Sequence, residues 1–378
     1  MANDSGQSDV RITVPRDTPD SDDDSYVRSG PVMQNREYLV VVPVTGTLLD
    51  SYTGINVRRF LRTAVALAAD NDGRVLLAGV ETVPESALET VREHVQTEEP
   101  AATKSGAVEP IAERRSQLAQ MADVAQQLAP DVPVTASVRA VTDVTRGVLG
   151  VVDGRSETAV LLLRGAGLDE GWLLNRSTID TILADAACDV FVENMGAEGG
   201  ENTLYVPAVD EHTVAPLAES EAETIDSILL PVGTGPHAAL AAEAARAVAR
   251  HADASVTVLH VVSPDAAAEE TADGEDLLTF ADHVLGPDVR SETELKAAAD
   301  TTDEIVRRAK EYDFVSIGAP EQKSGLKEIV FGSVQQTLSE LNGVTVLMSR
   351  DSDRTMRSLY YRWKQGIEAT ADDSDSDT

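Results

Sequence analysis

Residues 318–341, GAPEQKSGLKEIVFGSVQQTLSEL, hold the side chains and backbone of this chain best suited to meet a ligand. They follow the apolar run Phe314-Val315-Ser316-Ile317, and Val334, Leu338 and Leu341 then recur at i, i+4 and i+7. This spacing predicts a strand, a long loop and a helix. Gly332-Ser333 stands where the helix begins, so free backbone N–H groups and a hydroxyl meet the positive end of a helix dipole, an arrangement that holds phosphate. Other chemistry has little support. The six histidines (His94, His212, His237, His251, His260, His283) show no metal-ligand spacing. His260 reads as a strand residue and His237 as a helix-start residue. No G-x-S-x-G or Walker loop is present, and pairs such as Glu98-Glu99 and Glu269-Glu270 read as solvated surface. The expectation is a protein that is not an enzyme, with no catalytic residues and no metal.

The elements that would carry the loop form a repeated series. Residues 38–44 are a continuous β-branched run, fit for a strand buried on both faces. A helix around Phe60, Leu61, Ala64 and Ala68 follows, then strand 74–80, and a polar excursion over 82–110 with a short helix at 88–95. Helix 111–128, strand 132–141, helix 144–152 and strand 159–163 come next, then a helix face of Ile179, Ile182, Leu183 and Ala186, and strand 189–192. Residues 195–226 read as a linker, with Leu204-Tyr205-Val206 as an extra edge strand. The pattern then recurs: strand 227–232, helix 237–251, strand 255–262, helix 277–285, a weaker strand 289–295, helix 301–310, strand 314–317, helix 333–341 and strand 345–348. Strands alternating with helices require parallel, doubly wound sheets, and two copies of one series predict two such domains.

Composition bounds the partners. The 378 residues suit two α/β domains with tails. Acidic side chains number 65 against 31 basic ones, a net charge of −34, and the bases are six lysines and 25 arginines. A basic nucleic-acid surface is thereby excluded. An acidic, lysine-poor surface is what high salt selects, since screening removes self-repulsion, so the expected source is a salt-loving microbe, and with the family resemblance given below a halophilic archaeon. One cysteine, Cys188, permits no intramolecular disulfide, and a half-buried thiol at a strand edge is its expected role. Residues 1–36, with seven aspartates, read as a disordered acidic tail. They carry no basic n-region or apolar h-region, and nowhere do 18 apolar residues run together. The expected location is cytoplasmic, or peripheral at the inner membrane face. Near the end, Met356, Leu359, Tyr360, Trp363 and Ile367 lie on one helical face, flanked by Arg354, Arg357, Arg362 and Lys364. This cationic helix within 351–378 would pack on its own domain, or dock to a membrane surface or a protein partner.

The order of elements resembles a tandem universal stress protein (UspA-like), on Ile228-Leu229-Leu230-Pro231-Val232, Leu259-His260-Val261-Val262 and Gly318…Gly332-Ser333. The resemblance covers roughly 38–194 and 227–349 and is clearer in the second copy. It implies two doubly wound domains, 37–194 and 227–350, each a five-stranded parallel sheet in the order 3-2-1-4-5 flanked by helices, with the ligand crevice at the switch point. Its ATP-binding members follow G-x2-G-x9-G-[ST] and place an aspartate after the opening strand. The cofactor-binding positions it implies here are Pro231, Val232, Gly233, Val261, Gly318, Gly332, Ser333 and Val334. The second copy lacks the middle glycine, since Glu321 and Gln322 stand there, and Gly233 replaces the aspartate. The first copy has Thr45-Gly46 and Arg176-Ser177 at the matching points.

The resemblance leaves three readings open: a stress-response regulator with weakened or lost ATP binding that acts by protein interaction; a soluble regulator of a membrane transporter, such as an amino-acid permease, which Gly235-Pro236-His237 resembles; and a sensor or slow hydrolase taking ATP or AMP in the second copy. Family sheets often pair through strand five, so a pseudo-dimer of the two copies, or a homodimer, is expected.

Overall fold

The computed structural model describes residues 10–13, 38–45, 55–97, 109–152, 157–164, 168, 177–196, 204–205, 224–320, 334, 338, 341 and 343–352. The chain divides into two compact units, one of Met1–Ala186 with Glu201–Glu223, the other of Ala187–Gly200 with Thr224–Thr378. Both are α/β with sheets that are mostly parallel.

The first unit contains β1 (Val10–Thr13), β2 (Leu39–Thr45), β3 (Ile55–Asn56), α1 (Val57–Asp70), β4 (Arg74–Thr82), α2 (Glu85–Thr97), α3 (Glu109–Leu128), β5 (Val134–Val141), α4 (Val144–Val152), β6 (Thr158–Leu163), α5 (Thr178–Asp185) and β8 (Leu204–Tyr205). Its sheet runs β1-β5-β4-β2-β6, all parallel. Every residue of β2 is buried, as the unbroken apolar run requires of a central strand. Adjacent residues of β4 face opposite ways. Gly79 lies under Arg114 and Leu118 of α3, while Val80 meets Gly147 of α4, so helices cover both faces.

The second unit contains β7 (Asp189–Asn194), β9 (Ser227–Pro231), α6 (Ala238–Ala252), β10 (Ser255–Val262), α7 (Ala268–Leu285), β11 (Arg290–Ala297), α8 (Thr301–Ala309), β12 (Phe314–Gly318) and β13 (Thr345–Arg350). Strands β9 to β13 take the order 3-2-1-4-5, in parallel. Alanine-rich α6 has high helix propensity and buries nine residues, Ala239 to Ala249 among them. The small side chains let it lie close to the sheet. Asp253 ends it in the left-handed conformation, φ 55°, and Arg250 and His251 in its last turn complement the dipole. On β11, Leu295 faces Gly274 of α7 and its neighbour Glu294 holds Arg308 of α8 at 2.6 Å, so α7 and α8 lie on opposite faces.

Four expectations change. The strand expected as the fifth of the first copy, β7, belongs to the second unit, where it pairs antiparallel with β13, Met348 opposite Val192. Arg350 donates to the Cys188 carbonyl at 3.0 Å, and the Asp189 carboxylate accepts from Ser352 N and Oγ at 3.0 Å each. The local apolar pattern of 189–192 specified a strand but not which neighbour it would join. Second, the tail expected to be without structure contributes β1, because Val10-Arg11-Ile12-Thr13 alternates as a strand does. The first unit thus has five parallel strands, but β1 rather than β7 completes them, and the second unit has six. Third, Leu204-Tyr205 pairs with Ile55-Asn56 in a separate two-stranded sheet, not at the edge of the main one. Fourth, Cys188 is buried, at 4% exposure, rather than half-buried. The cationic segment with Met356, Leu359, Tyr360 and Trp363 lies outside the described residues.

Candidate functional site

The crevice of each unit opens where the first and fourth strands of the series part. In the second unit β9 pairs with β12 only through Ile228 and Leu229, while its pairing with β10 continues to Pro231. In the first unit β2 pairs with β6 only through Leu39 to Val41, while its pairing with β4 continues to Thr45. In both, the strand carries a proline two residues beyond the last pair, Pro231 or Pro43. Proline has no N–H to donate, so the sequence L-L-P-V or V-V-P-V ends the ladder on one side and leaves the gap that a doubly wound sheet offers to ligands.

In the second unit, five of the eight expected binding positions gather at this end. Pro231 closes β9, and Val232 N donates to the Leu259 carbonyl at 2.9 Å. Val261 is half-buried near the end of β10, and Gly318 is the last residue of β12. Gly233 borders open space, since a Cβ added there meets nothing within 4 Å, and the same holds for Gly235. Gly318 is the opposite case. A Cβ there would lie 3.0 Å from the carbonyl carbon and oxygen of His237 and 3.2 Å from Ala238 N, so glycine is what lets the start of α6 close over β12. Val334 and Leu338 are helical and Leu338 is fully buried, as the i, i+4 spacing requires. Gly332 and Ser333, with Glu321, Gln322 and Gly325, lie outside the described residues.

Two histidines hold this end together. His237 precedes α6 and is 7% exposed. Its Nδ1 accepts from Asp351 N at 3.1 Å, which places the ring proton of the neutral form on Nε2 and ties the end of β13 to the start of α6. His260 Nδ1 lies 2.8 Å from the Val232 carbonyl, and because a carbonyl only accepts, the proton is on Nδ1. Gly274 of α7 packs on the His260 ring. Both imidazoles thus have backbone partners, and a strand residue and a helix-start residue are what the sequence predicted. Ala319 N, the first amide beyond β12, donates to the Ser349 carbonyl at 2.7 Å and is therefore spent on the sheet.

The matching corner of the first unit is closed by its own residues. Ser177 precedes α5, and its Oγ accepts from Asp180 N at 3.0 Å while donating to Asp180 Oδ2 at 2.8 Å. Ile179 N donates to the Leu168 carbonyl at 3.2 Å. Two amides of the first turn and the hydroxyl are thus committed, and the Asp180 carboxylate occupies the positive end of the dipole, where it takes the place of an external anion. The sequence sets Arg176-Ser177 at the point that matches Gly332-Ser333, and Arg176 lies outside the described residues. The more telling signal was Ser177-x-x-Asp180, a helix-capping pattern.

Elsewhere in this unit, Arg114 meets Glu81 at 3.4 Å. Burial pushes the Glu81 carboxyl above the usual range, and the Arg114 guanidinium only partly offsets this. Among the described residues no cluster of three His, Cys, Asp or Glu side chains could hold a metal ion. No helix among them is long and apolar enough to cross a membrane.

A parallel sheet with its crevice at the parted first and fourth strands defines the class of doubly wound α/β domains. Residues 224–350, which contain the second unit's crevice, match the model of the Universal stress protein family. No curated protein matches the chain. Similar solved structures include a universal stress protein from Archaeoglobus fulgidus DSM 4304, at 14% identity over 83% of this chain and 97% of that one, TM-score 0.47. Another is the cytoplasmic domain of a prokaryotic cation chloride cotransporter, at 12% identity over 86% and 100%, TM-score 0.46. A third is the universal stress protein from Archaeoglobus fulgidus in complex with dAMP, at 20% identity over 34% and 99%, TM-score 0.28.

Proposed function

We propose that this chain is a stress-response regulator of the universal stress protein type in which ATP binding is weakened or lost, and which acts by protein interaction without turning over a substrate. The closed N-terminus of α5 carries this reading: its serine, two first-turn amides and the Asp180 carboxylate satisfy one another. The second unit supports it further, because Gly233 brings no carboxylate to the open space beside β9 and Ala319 N is already bonded. Such a corner offers phosphate little that water does not.

The test is calorimetric titration of the full chain in high salt with ATP and with AMP, beside mass spectrometry of the purified protein for retained nucleotide. No saturable heat and no nucleotide is the expected result. Stoichiometric adenine nucleotide, lost in Gly332→Arg, would overturn the reading in favour of a sensor built on the second unit.

The cationic segment supports a second reading, in which the chain is a soluble regulator at the inner face of the membrane, docked to a transporter. Residues 354–364 hold four bases and no acid in a chain of net charge −34. Deleting 354–367 should then shift the protein from the membrane fraction to the soluble one with its melting temperature kept. An unchanged distribution excludes docking through this segment.

A further inference from the structure

The two third strands, β5 and β11, treat their outer edges differently. β11 has one strand neighbour among the described residues, β10, and its sequence R-S-E-T-E-L-K-A carries four charges on an edge that is largely exposed. Charged side chains of this kind keep an open edge from recruiting another strand. β5 reads V-T-A-S-V-R-A-V, with Arg139 as its one charge. That guanidinium is turned under α4, where it donates to the Gly147 carbonyl at 3.2 Å, and so does not guard the edge. β5 is instead covered: Val10–Thr13 lies parallel to it, with Val10 opposite Ala136, Arg11 opposite Ser137, Ile12 opposite Val138 and Thr13 opposite Arg139. The cover is only four residues long, and 24 residues of chain separate it from Tyr38. That connection can span at most about 80 Å.

We propose that the outer edge of β5 is an exchangeable strand-addition site, and that its occupant is the Val10–Thr13 segment of a second copy of this chain, so that chains associate by trading N-terminal strands. The parallel pairing of β1 shows what the edge accepts, a short alternating segment with β-branched residues at every other position. The length of the connection also lets the same segment reach the β5 edge of a second copy. Aspartates crowd both sides of the segment, Asp4 and Asp9 before it and Asp17, Asp20, Asp22, Asp23 and Asp24 after it. In a chain of net charge −34 these residues oppose docking at low salt, and screening favours it, since the screening length falls from about 10 Å at 0.1 M to about 3 Å at 1 M.

The probe is a fluorescent synthetic peptide spanning residues 4–20, titrated into two full-length proteins, the wild type and an Arg11→Pro, Ile12→Pro double variant. Consecutive prolines remove the donor facing β5 whichever of the two residues supplies it. The peptide should bind the variant about tenfold or more tightly than the wild type, whose own tethered strand competes. Binding should tighten as salt rises, and hydrogen exchange of Val134–Val141 should slow when the peptide is present. Sedimentation of the wild type at rising concentration should show dimers that the variant does not form. Thermal unfolding of the variant confirms that it is folded, and hydrogen exchange on the wild type with excess peptide gives a reading independent of it. A peptide that fails to bind the folded variant, that binds without protecting β5, or that is matched by a scrambled sequence overturns the site. Variant dimers as abundant as those of the wild type overturn strand exchange as the route of association.

Discussion

Two glycines at one crevice make opposite demands, and substituting each in turn tests the reading of the second unit. Gly233→Asp places a carboxylate where the resembling ATP-binding proteins have one. With nothing within 4 Å of the added Cβ, and with Gly233 outside the positive-φ residues, the folded chain should accept it at a cost within about 0.5 kcal/mol. If the missing carboxylate is what weakens nucleotide binding, restoring a charged hydrogen bond of about 1.5–3 kcal/mol should tighten AMP or ATP about ten- to a hundredfold. Gly318→Ala asks the reverse. Its Cβ would press on three backbone atoms of His237 and Ala238 at 3.0–3.2 Å, and backbone cannot rotate away as a side-chain tip can. The expected loss is about 1–3 kcal/mol of stability. Thermal unfolding of both variants, with nucleotide titrations of Gly233→Asp in high salt, measures each arm. A stable Gly233→Asp protein that binds nucleotide no better than the wild type would refute the idea that this carboxylate is the missing piece. A Gly318→Ala protein as stable as the wild type would refute the close packing of α6 on β12.

Further expectations concern the supports of both units. Asp313 Oδ2 accepts from Asp226 N, Ser227 N and Ser227 Oγ at 2.8–3.0 Å; Asp313→Ala should cost about 1–3 kcal/mol in chemical denaturation, and Asp313→Asn less, since it keeps an acceptor. Ser177→Ala should cost about 1 kcal/mol as a lost helix cap, and Asp180→Asn at the same helix start should leave ATP unbound if the corner is closed by hydrogen bonds rather than by charge alone. Glu81 has its folded pKa raised, chiefly by burial. The stability it contributes is therefore present below its unfolded pKa and is lost as pH rises through the higher folded value. Relative to Glu81→Gln, the wild type should gain stability as pH falls from neutrality through about 4.3; a shift the other way would mean that the Arg114 pair outweighs burial.

Much of the fold was legible because local pattern and burial coincide. The run 38–44 predicted a strand buried on both faces, and β2 is buried throughout. The alanine spacing of 237–251 predicted α6 almost to its ends. What escaped was of two kinds. Polar half-elements left no apolar signature: α7 begins at Ala268, nine residues before the predicted start, because its first half is exposed, and Glu269 and Glu270 stabilise it through the dipole rather than through burial. Partner choice left none either, since the run Asp189–Asn194 reads the same whichever sheet it joins, and Val10–Thr13 is too short to stand out among aspartates. Five of the positions that the family resemblance implies, Pro231, Val232, Gly233, Val261 and Gly318, lie at or beside the carboxyl ends of β9, β10 and β12, the end at which a doubly wound sheet opens.

Two crevices with the same opening can therefore differ in what they offer. Proline sets the opening in both, by ending one ladder of the first strand, and this is a property of the backbone that tolerates any chemistry nearby. The ligand-facing groups are a separate layer. In the first unit Ser177 and Asp180 hydrogen-bond to one another at the start of α5. In the second unit a Cβ added at Gly233 meets nothing within 4 Å among the described residues. A carboxylate added at Gly233 therefore meets open space, whereas a change at Ser177 or Asp180 removes a cap that also stabilises its helix.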